Sequence, residues 1–350
     1  MATKAWIIST GILFLTTGCA SQMPEIYSLC QRDGIGNYII KWETHPELDG
    51  EMKLYVSDNP DMSQASPAGY TPIHNGVMTY ITNDNISRKY FRLLFDNTYE
   101  QTTASRLVMM DSVQNLRDIG GYLSSQGKFM RWGKVYRSGE IGRISAWDTL
   151  RLNKLKIKTI IDLRSMPEVM RSPIGYSKAK IVHIPIDSDM SDIVGQIRKG
   201  KVRKGDGSLF MQDLYLRYVT ENRKEFAQAL NLFLDEDNYP ILFNCSLGKD
   251  RAGFLAALLL AALDMPEETI LSDYVVTNDY LNLTRYANLV QELDSDAQEA
   301  LTVILSANET FLNLALRKIK KEYGSMDKYL SEELQLTDKQ KEKLKEMLLF

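Results

Sequence analysis

The sequence is poor in the residues that most readily carry metal or redox chemistry. Only three histidines, His45, His74 and His183, occur among 350 residues, and their scatter suits no metal-ligand set. No metal and no organic cofactor are expected. Three cysteines, Cys19, Cys30 and Cys245, are too few for a disulfide framework. Ten prolines and a 44% hydrophobic content exclude a collagen-like or disordered chain. Charge of one sign is missing as well: 42 basic residues stand against 45 acidic, for a net charge of −3. Nucleic acid is therefore not an expected partner, because proteins that bind it carry a basic surplus. No apolar run reaches the roughly 20 residues that span a bilayer as a helix. What remains is an ordinary globular composition, long enough for about two domains.

The N-terminus has one positive charge, Lys4, then the apolar run Ala5–Leu15, then Thr16-Thr17-Gly18-Cys19. A short apolar segment behind a charge and ahead of small residues has the form of a secretory signal. Its Gly-Cys ending resembles the bacterial lipobox, with Thr16 in the usual leucine slot. That resemblance implies cleavage after residue 18, lipidation of Cys19 and anchoring of an exported protein to the bacterial cell envelope, on the periplasmic or surface side. The expected division is signal 1–18, linker 19–23 and two domains, 24–110 and 111–350.

Residues 24–110 alternate apolar and polar side chains in short runs: 38–42, 52–56, 77–81, 90–95 and 105–109. Asp49-Gly50, Asn59-Pro60, Asn75-Gly76 and Asp96-Asn97 punctuate them with turn chemistry. Strands at about ten-residue spacing suggest a small all-β sandwich, and the layout looks like a fibronectin type III or immunoglobulin-like module. With 7 basic and 11 acidic residues and no catalytic constellation, it reads as a spacer or as a docking module for a protein partner.

From residue 111 the pattern changes to alternating helices and strands. Helical periodicity covers 147–155 and 209–234, strand-like runs cover 159–163, 180–185 and 239–243, and an apolar helix begins at Ala252. Thr337 and Gln340 have the spacing of a capping box. This alternation implies an α/β domain with a mostly parallel central sheet flanked by helices. Ligands in such sheets sit where strand ends meet helix N-termini, and the loop Cys245-Ser-Leu-Gly-Lys-Asp-Arg251 lies at that place. A cysteine and an arginine six residues apart, between a strand and a helix, have the chemistry of a phosphate cradle. Loop amides from Ser246, Leu247, Gly248, Lys249 and Asp250 and the helix N-terminus favour an anion. Arg251 can grip two oxygens, and the same positive potential favours the Cys245 thiolate. A Walker A reading fails, because Phe243 fills the first glycine position and Asp250 follows Lys249.

The loop resembles that of the atypical bacterial and fungal tyrosine phosphatases, which carry Cys-x-x-Gly-Lys-Asp-Arg. Asn115-Leu-Arg-Asp-Ile-Gly-Gly121, Tyr136-Arg-Ser-Gly139, Asp162-Leu-Arg-Ser165 with Glu168, and Tyr323-Gly-Ser with Tyr329-Leu match further motifs of that family, in order. The resemblance implies that Cys245 attacks phosphorus and that Arg251 steadies the equatorial oxygens. It implies a phosphotyrosine protein as substrate, with a phosphoinositide or dual-specificity role as the enzyme rival. A proton donor for the leaving group is sought among Asp250, Asp187 and Asp189, while Asp162 reads as a supporting residue. Two positions depart from the family: Asn244 replaces its histidine, and Ala252 replaces the Ser or Thr after the arginine. The lost hydroxyl would have helped to expel the thiolate from the phosphoenzyme, so a phosphate-binding module with little turnover is a further alternative. Arg198–Lys204 places five positive charges in seven residues, as a solvated loop or as a lid over anionic substrates. Cys30 has no evident partner.

Overall fold

A computed structural model describes residues 23–61, 66–188 and 190–350. The expected signal segment, Cys19 and Asp189 lie outside them. Seven strands form first: β1 (Glu25–Arg32), β2 (Tyr38–His45), β3 (Glu51–Ser57), β4 (Gly69–Pro72), β5 (Val77–Tyr80), β6 (Tyr90–Phe95) and β7 (Tyr99–Ala104). They build two antiparallel sheets, β1-β2-β5 and β4-β3-β6-β7. Alternation along β2 buries Tyr38, Ile40 and Trp42 against Met52, Leu54, Phe91, Leu93 and Phe95 of the second sheet. The β6–β7 turn is made by Asp96 and Asn97, both at positive φ (45° and 55°), the geometry that suits the twist of a hairpin.

The run 105–109 is not a strand of these sheets. Its backbone pairs forward instead: Val108 N–H donates to Leu116 O at 2.9 Å, and Arg106 O accepts from Asp118 N–H at 3.0 Å. The alternation is genuine, but its partner lies in the next unit. Strands β1 and β7 were not legible as strands, since β1 leaves Tyr27 and Leu29 half exposed and β7 is mostly polar.

The second sheet system contains β8 (Arg117–Asp118), β9 (Val135–Ser138), β10 (Thr159–Asp162), β11 (Lys180–His183) and β12 (Ile241–Asn244), in the order β11-β10-β12-β9-β8. All pairs are parallel except β8 with β9. Successive residues of the central strands face opposite ways. Ile161, Ile241, Phe243 and Val135 enter one apolar cluster, while Ile160, Leu242 and Tyr136 enter another. Helices cover both faces, with Leu152 and Leu155 of Ala146–Leu155 on one side and the buried helix Arg251–Ala262 on the other. Asp162, Asn244 and Ser138 share one register, so the loops that follow the strands converge at one end.

The single helix expected over 209–234 is two helices, Asp206–Thr220 and Arg223–Asn231, followed by a 3-10 turn at Leu232–Leu234. The break at Glu221-Asn222 redirects the second helix so that Phe226 meets both Tyr218 and Phe254, at ring distances of 5.7 and 4.8 Å. The capping box at Thr337 and Gln340 is present. Among the described residues, no helix is long and apolar enough to cross a membrane.

The two units meet at Arg88, which is buried between them. Its guanidinium forms an ion pair with Asp118 and donates to Tyr90 Oη at 3.0 Å, Tyr136 Oη at 3.3 Å and Ser105 O at 2.9 Å. The Asp118 carboxylate also accepts from the amides of Gly120 (2.7 Å) and Gly133 (2.6 Å). Trp132 packs with Tyr90 and Ala104 beside this pair.

Candidate active site

Strand β12 delivers Cys245 to the convergence point, where the thiol is buried. The loop behind it is held from outside by its carbonyls. Asn115 Nδ2 donates to Leu247 O (3.0 Å) and Gly248 O (3.1 Å), and Arg137 Nη2 donates to Gly248 O (2.7 Å) and Lys249 O (3.1 Å). Arg137 and Arg117, adjacent across β8 and β9, both form ion pairs with the buried Asp273. Burial alone would raise the Asp273 carboxyl; the arginine charges outweigh it and hold the group well below the usual carboxylate range. Gly248 sits at φ +68°, and a Cβ there would lie 2.4 to 2.6 Å from backbone atoms of Ser138 and Gly139. Only glycine fits both constraints.

With the carbonyls drawn outward, the amides of Ser246, Leu247, Gly248, Lys249 and Asp250 have no acceptor among the described residues. Buried or half-buried donors without partners are uncommon in proteins. Gathered around one thiol at a helix N-terminus, they form an anion cradle.

Arg251 opens that helix, and its guanidinium is clamped in a fixed plane. Glu168 accepts from it in bidentate fashion, at 2.7 and 2.9 Å. Ile186 O (3.1 Å), Leu163 O (3.4 Å) and Ser246 Oγ (3.2 Å) take further donors. Burial would raise the Glu168 carboxyl, but the hydrogen bonds and charge of Arg251, helped by Ser246 and the Ser165 amide, hold it at about 2. Burial would lower the Arg251 guanidinium; Glu168 more than offsets this and leaves it raised, hence charged at every working pH.

The expected proton donors fall in unlike places. Asp250 is nearly buried. Its Oδ1 accepts from Tyr215 Oη at 3.0 Å and pairs with Lys249 Nζ at 2.8 Å, while its Oδ2 has no hydrogen bond among the described residues. Asp187 is exposed and follows directly on Ile186, whose carbonyl touches Arg251. Asp189 lies outside the described residues. The Lys249 side chain is fully buried, and its ammonium also donates to Ser306 O at 3.2 Å. Asp162 is paired with Arg164 at 2.8 Å and accepts from Asn244 Nδ2 at 3.2 Å, a supporting arrangement. Asn244 Oδ1 is buried without a partner. The basic run is held through its backbone: the amides of Lys204 and Gly205 donate to Asp296 and Glu299, at 3.2 Å each. Cys30 lies in the β-sheet core, where burial pushes its thiol up to about 12.

Asn115, Arg137 and Glu168 stood in recognised motifs without an assigned task; the structure brings all three onto the loop. Asp273 and Tyr215 carry no local signal at all, since each acts through a partner far away in sequence. Among the described residues, no cluster of His, Cys, Asp or Glu is placed to hold a metal.

Residues 108–350 match the tyrosine phosphatase family. A protein of Cupriavidus necator named as a tyrosine-protein phosphatase is 30% identical over 235 residues, covering 65% of this chain and 83% of its own length. The triple specificity protein phosphatase PtpB of Mycobacterium tuberculosis is 27% identical over 253 residues, covering 62% of this chain and 90% of its own. A crystal structure of P. aeruginosa TpbA covers 54% of this chain and 89% of its own at 16% identity, with a TM-score of 0.27, too slight a likeness to carry an argument. With a family match over more than half its length, this chain belongs to the tyrosine phosphatase family and is a phosphatase.

Proposed function

We propose that this phosphatase hydrolyses phosphate monoesters, phosphotyrosine in proteins foremost, through a cysteinyl-phosphate intermediate. The observation that carries the reading is the set of five loop amides, Ser246 to Asp250, without acceptors around the buried Cys245. The Cys245 thiolate attacks phosphorus, the ester P–O bond breaks, and the leaving oxygen takes a proton from a carboxyl group. Asp250 is the preferred donor through Oδ2, with Asp187 at the rim and Asp189 as alternatives. Water then attacks phosphorus, its proton passes to the same carboxylate, and the S–P electron pair returns to sulfur. The amides of Ser246, Leu247, Gly248, Lys249 and Asp250, with Arg251, hold the equatorial oxygens throughout.

A wider substrate range, including phosphoinositides, is the second reading. The wider range draws on the name of the Mycobacterium relative, a triple specificity protein phosphatase, and the phosphoinositides on the resemblance of the loop Cys245–Arg251. Wild type should release phosphate from phosphotyrosyl peptides faster than from phosphoinositides; the reverse order would move the assignment to lipid. Cys245→Ser should lower turnover of para-nitrophenyl phosphate by at least ~10³-fold. Turnover surviving in that variant would overturn the nucleophile. Absence of turnover in wild type across pH 5–8 would leave a phosphate-binding module.

We read the chain as signal 1–18, linker 19–23, a fibronectin type III- or immunoglobulin-like unit at 24–110 and the phosphatase domain at 111–350. Lipid-anchored export through Cys19 rests on the Gly18-Cys19 motif. The intact mass of the envelope-associated protein should place an acylated cysteine at its N-terminus, and an unmodified residue 19 would dismiss the anchor.

A further inference from the structure

Residues 141–186 carry nine basic residues against three acidic ones, in a chain whose net charge is −3. The three acids are not free at the surface: Asp148 and Asp162 are buried, and Glu168 is paired with Arg251. Asp111 and Glu140, at the margins, are taken up by Arg151 at 2.7 Å and Arg164 at 3.7 Å. The other seven basic side chains of the segment are exposed and have no ion pair among the described residues.

These seven belong to one layer. Helix Ala146–Leu155 and the chain 171–181 cover the same face of the sheet, with Leu152, Leu155, Ile157 and Tyr176 in one apolar cluster. Three hydrogen bonds stitch the layer: Gly175 N–H to Ile141 O at 2.8 Å, Tyr176 Oη to Asn153 Oδ1 at 3.2 Å and Lys180 N–H to Lys158 O at 2.8 Å. The helix runs from the end of β9 back to the start of β10. Arg143 and Arg171 therefore stand toward the Cys245 end. Lys154, Lys156, Lys158, Lys178 and Lys180 stand toward the other.

Apolar side chains project from the same layer. Trp147, Leu150 and Lys154 form one stripe of the helix, at spacings of three and four, turned away from the buried Asp148, Leu152 and Leu155. Trp147 is 55% exposed. Ile181 is in register with Ile160, so it faces the same side of the sheet, and it is half exposed. Met166 and Met170 extend the set toward the Cys245 end, both exposed. One exposed apolar side chain needs no explanation, but several among unpaired cations mark an interaction surface.

We propose that this layer is a docking face for an anionic phospholipid bilayer. Its lysines and arginines meet headgroup phosphates, and Trp147 and Leu150 enter the interface beside them. Tryptophan and leucine beside Lys and Arg are the composition of surfaces that lie in a membrane interface. Five of the seven cations are lysines, point charges on flexible stems, which suit a fluid array of phosphates better than the fixed carboxylates of an acidic protein. Docked in this way, the chain holds the Cys245 loop at the edge of the bilayer. The face does not depend on Cys19, since its charge and apolar side chains are its own.

The test uses the full chain with Cys19→Ser throughout, so that no lipid on residue 19 contributes; residues 1–23 are otherwise common to every variant and set a shared background. Binding is read by co-sedimentation with vesicles of phosphatidylcholine alone or mixed with phosphatidylglycerol, and turnover of para-nitrophenyl phosphate reports that each variant is folded. The starting protein should prefer the anionic vesicles by at least ~10-fold, and the preference should fall with added salt. Lys154→Glu/Lys156→Glu/Lys178→Glu should lower that binding by at least ~10-fold with kcat within about twofold. Lys321→Glu/Lys339→Glu/Lys343→Glu makes the same charge change on exposed lysines elsewhere and should lower it by no more than about threefold. Trp42 and Trp132 are buried, so Trp147→Phe should remove the part of the fluorescence blue shift that depends on anionic lipid. Equal losses in the two triple variants would reduce the effect to net charge and overturn the face. No preference for anionic vesicles would overturn it as well, and retention on immobilised polyglutamate, lost in the first triple variant, would then assign the face to an acidic protein. An unmodified residue 19 in the natural protein would remove only the anchor.

Discussion

Two buried arginine–carboxylate pairs occupy the two ends of this molecule's functional range. Arg88 with Asp118 joins the β-sheet unit to the phosphatase unit; Arg251 with Glu168 stands at the phosphate loop. At the first pair two phenols, a carbonyl and two backbone amides converge, and Arg88 Nε is left without a partner among the described residues. At the second, the guanidinium is equally well held, but five adjacent loop amides have no acceptor. A buried ion pair with one idle donor is a fastening, whereas one beside five idle amides gathered in a single loop is a fastening beside a binding site. The difference lies in the neighbours and would not be visible from the pairs alone.

This contrast can be broken by experiment. The largest effect is expected at the loop, where Arg251→Lys keeps the charge but loses the planar fork. It should lower kcat by about 10²-fold while the melting temperature changes comparatively little; retention of kcat would mean that the fork does not act on the reacting phosphate. Arg88→Met should do the opposite. It leaves Asp118 buried without its counter-charge, at a cost of about 3–5 kcal/mol of stability, while kcat of the folded fraction stays within about twofold. Denaturant unfolding with active-site titration measures both, and a kcat loss matching that of Arg251→Lys would erase the distinction. The smallest effect is a pH dependence. Glu168 is held at about 2 in the fold, below its ordinary 4.5. Its stabilising contribution is therefore complete above about pH 4.5 and is lost as pH falls toward 2. The stability difference between wild type and Glu168→Gln should narrow over that window; a difference that stays constant there would show that the carboxylate charge is not what holds Arg251.

Contiguity decided what could be read in advance. Cys245 to Arg251 was legible because nucleophile, glycine and arginine fall within one loop between a strand and an apolar helix. Strands β2, β3, β5 and β6 were legible because one face of each packs on the core, buried in β2, β3 and β6 and partly buried in β5, which imposes period-two alternation. The clamp was not. Glu168 lies 83 residues from Arg251 and Asp273 lies 136 from Arg137, and no local pattern announces such pairings. Arg88 was silent for the same reason, so the β-sheet unit read as a spacer with no hint of its buried joint to Asp118. The helix break at Glu221-Asn222 escaped notice because neither residue is a glycine or proline; packing of Phe226 on Phe254, a tertiary demand, overrides the local preference.

The antiparallel edge strand has one more consequence. By pairing Arg117 opposite Arg137, it sets two guanidinium groups against the single carboxylate of Asp273. Burial, then Arg137, draws Arg117 down to about 10, still protonated near neutrality. Lys249 with Asp250 and Arg251 with Glu168 cancel pairwise, so the positive charge left beneath the cradle stands as the counter-charge to the Cys245 thiolate. Mobile ions cannot crowd around a charge in such a position as they do around a surface lysine. The field this charge sets at the cradle should therefore be screened less by added salt than that of a surface lysine.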